Sequence, residues 1–175
     1  FGNNNKNRKK LTIYKVRIDT LTSNKTTADK INFTMPKKLN PEDFESFLLL
    51  QGNFYIFSKN QKKSLLLKVP NKIGTHTAKL VTKFDLEGKK TKVTSAALSP
   101  DKKTIVLLNH NKLWKITNFK PDNFFQGSIN KIKFDHDSQK EGICFKDGNT
   151  VYISDERSKN NVSYIYSFNI NENDL

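Results

Sequence analysis

The sequence predicts an all-β fold, a β-propeller of four-stranded antiparallel blades, on three observations. Apolar and polar residues alternate in short runs such as Thr150 to Ser154, the period-two pattern of a half-buried strand. Turn chemistry separates the runs. Its clearest instance is Asp147-Gly148, since Asp-Gly between β-prone runs favours a type I′ turn with positive φ at both central residues. The phrase built from these parts then recurs: Glu45-Ser46-Phe47-Leu48 with Gly52 to Phe57, Thr94 to Ala97 with Ser99-Pro100-Asp101 and Thr104 to Leu107, and Gln139 to Phe168. Its period of about 48 residues lies in the range of propeller repeats.

In chain order, Phe1 to Lys10 reads as a polar turn, Leu11 to Ile18 as a strand, and Lys30 to Met35 as the outer strand of an incomplete first blade, residues 1–36. Pro36 ends it, and Pro41-Glu42-Asp43 reads as a single helical turn before the second blade, residues 44–86. That blade takes Phe47–Leu50, Phe54–Ser58, Ser64–Val69 and Ala78–Leu86, with Pro70 to Thr77 as a loop. The third, residues 93–134, takes Thr94–Leu98, Thr104–Leu108, Lys112–Ile116 and Ser128–Phe134. Pro100 presets its first hairpin connection. In the long connection Phe119 to Gly127, the adjacent Phe124 and Phe125 are expected to pack between blades, as Trp114 is within one. The fourth blade, residues 140–168, has three strands and lacks its outer one, and Asn169 to Leu175 frays. Inner and second strands should be covered on both faces. Phe47, Leu49, Tyr55, Phe57, Ala97, Val106, Ile143, Cys144, Val151 and Ile153 are therefore expected to be mostly buried.

About three and a half blades are too few to close a ring, which usually has four to eight. Leu11 to Val16 matches the third strands of the later copies, so the chain reads as beginning inside a blade. Residues 1–175 alone are expected to aggregate or stay partly unfolded through their uncovered edges, the remaining blades coming from upstream of Phe1 or from a second chain.

The 175 residues carry 31 Lys and Arg against 17 Asp and Glu, a net charge of +14. Such a balance attracts polyanions without choosing among them. The lysine pairs Lys9-Lys10, Lys37-Lys38, Lys62-Lys63, Lys89-Lys90 and Lys102-Lys103 are dispersed over turns. They read as solvated loop tips, and nucleic acid is not the expected partner, because binding modules concentrate charge on one face. A single cysteine, Cys144, excludes an intrachain disulfide, and no apolar run is long enough to span a membrane as a helix. The histidines lack metal-type spacing, and no phosphate loop or nucleophile elbow is present.

In an up-and-down blade, the connection into the inner strand and the one leaving the second strand share an end. One mouth of the ring should therefore collect Glu45, Thr94 and Glu141 with Lys59, Asn60, Asn109, His110, Asp155, Glu156 and Arg157. Carboxylates near an axis suit Ca²⁺, making Glu45, Glu141 and Asp155 candidate ligands. The plainer reading is that they are solvated or cap backbone groups.

The phrases FGNNNKNRKKLTIYKV, DFESF, FYIFSKN, PNKIGTHTA, LSPDKKTIVLL, LWKITNF, QKEGICFKDGNTVYISDE and IYSF, in that order, cover nearly the whole chain. Together they resemble a group of uncharacterised secreted or surface-attached β-propeller proteins of Bacteroidota, some with lipoprotein or type IX secretion signals. The resemblance implies an extracellular or cell-surface location, a strand pair before Phe1, and a ring of about six blades. Lys6 stands where the group usually has Gly, Lys10 where Asp is common, and Ile73 where Pro-Gly is usual. The group is distantly similar to phytase-like and lactonase-like propellers, but fold kinship transfers no activity. The expected function is thus a scaffold binding a protein or glycan at one mouth. The alternatives are a Ca²⁺-dependent phosphoester or lactone hydrolase and a basic polyanion-binding module.

Overall fold

Strands form where the alternating runs find an antiparallel neighbour, and the chain builds four successive sheets from them. The computed structural model describes residues 2–21, 25–157 and 162–171; the start of the expected N-terminal turn at Phe1 and most of the frayed tail lie outside these. The strands are β1 (Lys10–Lys15), β2 (Asp29–Thr34), β3 (Phe44–Leu50), β4 (Asn53–Ser58), β5 (Ser64–Pro70), β6 (Gly74–Thr77), β7 (Lys79–Phe84), β8 (Ser95–Leu98), β9 (Ile105–Leu108), β10 (Lys112–Thr117), β11 (Ser128–Lys133), β12 (Lys140–Phe145), β13 (Thr150–Asp155) and β14 (Ile165–Asn169). The sheets are ordered β1-β2-β6, β3-β4-β5-β7, β8-β9-β10-β11 and β12-β13-β14. Helix among the described residues is confined to 3-10 turns at Ile18–Thr20 and Phe124–Gln126.

Three apolar clusters hold neighbouring sheets face to face. Leu11, Ile13, Ile31 and Phe33 of the first sheet cover Phe54, Ile56, Leu65, Leu67 and Val69 of the second. Leu48, Leu50, Tyr55, Phe57 and Leu66 of the second pack on Ile105, Leu107, Trp114 and Ile116 of the third. Val106, Leu108 and Leu113 then meet Ile143, Val151 and Ile153 of the fourth. Strands β3, β8 and β12 lie side by side, so the first strands of three sheets form one edge of the stack.

The two adjacent phenylalanines join the second and third sheets, as expected. Phe124 is fully buried 4.8 Å from the Tyr55 ring, and Phe125 stacks on Phe84 at 4.2 Å. Asp122, one turn earlier in that connection, accepts hydrogen bonds from Tyr55 Oη (2.5 Å) and Lys68 Nζ (2.8 Å). Lys68, with Tyr55 assisting, holds the Asp122 carboxyl below the usual carboxylate range. The loop is therefore anchored to the second sheet by charge as well as by rings.

Several expectations are corrected. Phe47 and Leu49 are 38% and 46% exposed, and Cys144 is exposed. In β3 the alternation buries Ser46, Leu48 and Leu50 against the third sheet, which turns Phe47 and Leu49 to the opposite face. Cys144 pairs across strands with the exposed Tyr152, on the fourth sheet's outer face, while Ile143 and Ile153 point inward. Pro41 to Asp43 forms no helical turn. The connection at Asp147-Gly148 is not a type I′ turn, since neither residue has positive φ. Instead the Asp147 carboxylate accepts from the backbone N–H groups of Asn149 and Thr150, widening the loop. The type I′ geometry is found at Gln51-Gly52, with φ of +48° and +71°, between β3 and β4.

The expected loop Pro70 to Thr77 contains β6, which lies in the chain between two strands of the second sheet but pairs in parallel with β2 of the first. Lys6, where the resembling group has Gly, sits at φ +51°, the region that glycine enters most easily. Its ammonium reaches Glu42 Oε2 at 2.5 Å and Asn60 Oδ1 at 2.9 Å.

Phe124→Ala should cost about 3–5 kcal/mol, since a fully buried ring leaves a cavity. Phe47→Ala, on a half-open face, should cost under about half of that. Urea unfolding of the two variants compares them directly, and equal losses would contradict the packing described.

Candidate functional site

The antiparallel register brings the predicted loop ends together. Phe44 pairs with Ser58, Ser95 with Leu108, and Lys140 with Asp155. The start of each first strand therefore lies beside the end of its second strand, at one end of the stack. Side chains join these ends across sheets. Thr94 Oγ1 donates to the Lys140 carbonyl at 2.6 Å, Thr91 Oγ1 to the Gln61 carbonyl, and Ile143 N to Ser95 Oγ at 3.3 Å.

Four candidates meet there. Lys59 forms an ion pair with Glu45, and His110 Nε2 lies 3.4 Å from Glu141 Oε1. Burial alone would lower the Lys59 ammonium, but the Glu45 carboxylate, with Glu141 and Asp43 behind it, holds it above its ordinary value. Polar side chains from three sheets thus lie near one another. Asn109 is buried and spent on structure, its amide donating to the Lys92 carbonyl at 2.6 Å. Glu156 and Arg157 are exposed at the end of β13. Asp155 faces inward toward Lys140 and Tyr166, and its Oδ1 is buried without a hydrogen-bond partner. Beside these groups lies an open cleft of about 370 Å³ whose lining includes Lys59, Gln61, Lys90, Lys92, His110 and Asp137. Among the described residues, no group of three or more His, Cys, Asp or Glu is placed to hold a metal ion. Glu45 and Glu141 are instead engaged by Lys59 and His110.

Lys140, which the sequence reading did not single out, is fully buried. Its ammonium contacts the His110 carbonyl (2.8 Å), the His136 carbonyl (3.2 Å) and Ser138 Oγ (2.7 Å), and lies 4.8 Å from the centre of the Phe134 ring. Burial holds its pKa below the ordinary 10.5, against the opposing pull of Asp155 and Asp137. A signal for it existed. The residues preceding Glu45, Thr94 and Glu141 are Phe44, Val93 and Lys140, and all are buried. The repeat therefore marks an interior position that the fourth copy fills with a lysine.

No family model matches the chain, and no curated protein matches it. Among solved structures, Kluyveromyces lactis Hsv2 is similar over 93% of this chain at 10% sequence identity, with a TM-score of 0.46. The chain spans 56% of the length of that neighbour.

Lys140→Met strips the His110 and His136 carbonyls of a buried donor and should destabilise the chain by about 2–4 kcal/mol. Since the folded pKa is depressed, the unfolded chain binds more protons between that value and 10.5. Wild-type stability should therefore rise with pH relative to Lys140→Met. Tyr166, raised above 10.0 by burial and then by Asp155, acts oppositely above pH 10, where the unfolded chain releases a proton the folded chain keeps. Urea unfolding of both proteins from about pH 7 to 10 checks the sign, and a flat difference would contradict it.

Proposed function

We propose that the chain is an arc of a β-propeller scaffold that binds a glycan at the end where Lys59, His110 and Glu141 converge. The observation that carries this is the meeting of three sheets' loop ends around one open, polar cleft, with β3, β8 and β12 side by side beneath it. The cleft offers ammonium and amide donors and the Asp137 carboxylate as an acceptor to a sugar's hydroxyls. A protein partner is less well matched, because protein interfaces centre on large apolar or aromatic anchors and this cleft presents none.

A second reading, polyanion binding, has its own observation. Lys112 and Lys133 stand directly opposite each other across β10 and β11, and like charges so placed destabilise a sheet. Burial, followed by Lys131, Lys133 and Lys90, holds the Lys112 ammonium below its ordinary pKa. A bound anion would relieve that repulsion. Asp135 and Asp137 stand nearby, and Asp137 pairs with Lys90, so the positive field is local.

Screening against a glycan array, followed by calorimetry on any binder, separates the readings. The double variant Lys59→Ala with His110→Ala should weaken glycan binding by about tenfold or more, each tenfold being about 1.4 kcal/mol. Absence of any bound glycan, or equal binding by the variant, removes the first reading. Binding only to anionic glycans that fades with salt and is lost in Lys112→Ala would favour the second.

A further inference from the structure

An open cleft of about 380 Å³ lies where the connection after β7 meets the outer strands of the third sheet. Asp85, Leu86 and Glu87 of that connection line one side, and Trp114 of β10 with Ile129 and Lys131 of β11 line the other. Phe125 belongs to the lining as well. Its apolar part continues the junction between sheets. Leu86 and Trp114 are core residues, while Ile129, directly opposite the buried Ile116, is 42% exposed. The walls are fixed before anything binds. Phe125 stacks on Phe84 at 4.2 Å, and the Asp85 carboxylate accepts from the Glu87 N–H at 3.0 Å in the turn that Glu87 and Gly88 make with φ of +50° and +95°. Fixed walls spare a ligand the cost of ordering them.

The polar part of the lining is unmatched. Asp85 and Glu87 bring two carboxylates, and Lys131, opposite Trp114 in the register, brings one ammonium. Among the described residues no ion pair takes up any of these three charges. The neighbouring Lys112 is already engaged, since it donates to the Lys89 carbonyl at 2.8 Å and lies 5.7 Å from the centre of the Trp114 ring. Trp114 adds a donor. It is 2% exposed, yet among the described residues its indole N–H has no acceptor, where a buried tryptophan usually finds one.

We propose that this cleft binds a free α-amino acid with an apolar side chain. The ligand's carboxylate meets the Lys131 ammonium and the Trp114 N–H, and its ammonium meets Asp85 and Glu87. Its side chain lies against Leu86, Phe125 and Ile129. Opposite charges stand on the two sides of one cleft without pairing, so a ligand carrying both signs bridges them. A ligand of one sign leaves the other side unmatched. A sugar fits less well, because the covered Trp114 offers an N–H and no open ring face. The site shares no lining residue with the glycan cleft and is independent of that reading.

Trp114 is the only tryptophan of the 175-residue chain, so indole emission reports on this cleft. The chain is titrated with L-phenylalanine and with L-leucine, neither of which absorbs at the red edge of the indole band, and calorimetry follows the same additions. Both should give a saturable change. Phenylalaninamide, which lacks the carboxylate, and hydrocinnamate, which lacks the ammonium, should each bind about tenfold or more weakly than L-phenylalanine. Lys131→Gln, at an exposed position, should weaken L-phenylalanine by about tenfold and leave phenylalaninamide unchanged, with urea unfolding showing that the variant folds as the wild type does. No saturable signal from either amino acid by either method would overturn the proposal. So would hydrocinnamate binding as tightly as L-phenylalanine, or equal weakening of L-phenylalanine and phenylalaninamide by Lys131→Gln. The comparison of ligands on the wild-type chain decides the matter even where the variant fails to fold.

Discussion

A β-sheet has two faces, and in this chain only another sheet is broad enough to cover either. That constraint accounts for the order of the molecule. Each of the three clusters joins one sheet to the next in chain order, and the long connections exist to deliver side chains into those junctions. Phe119 to Gly127 is the clearest instance, since Asp122 fixes the loop to Lys68 while Phe124 and Phe125 fill the space between sheets. The convergence of loop ends follows from the same stacking. Because β3, β8 and β12 are neighbours, so are the residues that precede them.

Lys140 is the exception that the stacking tolerates. An ammonium at an interior position is costly unless its donors find acceptors. Here two carbonyls and a hydroxyl accept them, and the groups so tied belong to the connections after β9 and before β12. A residue that costs desolvation thereby joins two loops of the candidate site. Phe44 and Val93, at the equivalent positions, are buried through apolar contact alone and leave their neighbouring loops to other bonds.

Much of this was legible because period-two alternation and turn residues report local geometry directly. The expected strands lie where pairs form, and Phe124 and Trp114 are interior as their size suggested, with Phe125 partly buried beside them. What escaped depended on neighbours. Phe47 and Leu49 are apolar and in phase with a buried row, yet their exposure is set by how far another sheet extends over them. Cys144 lies in an apolar run but takes the outward phase of β12. The Asp147-Gly148 turn failed as a local inference because Asn149 and Thr150 offer N–H groups that the carboxylate prefers to a tight reversal. The pairing of Lys59 with Glu45 and of His110 with Glu141 could be placed at one end from topology, but not partnered.

Strand β6 breaks the pattern of sheets that merely lean on one another. It lies in the chain between β5 and β7 of the second sheet but forms a parallel ladder from Ile31 to Thr34 with the first. Stacked repeats are commonly described by an intrinsic stability for each unit and a coupling to its neighbour. At this junction the two quantities merge, since the ladder belongs to both units and neither can lose it alone. The first two sheets should therefore behave as one cooperative foldon, with the amides of β2 and β6 opening to exchange together.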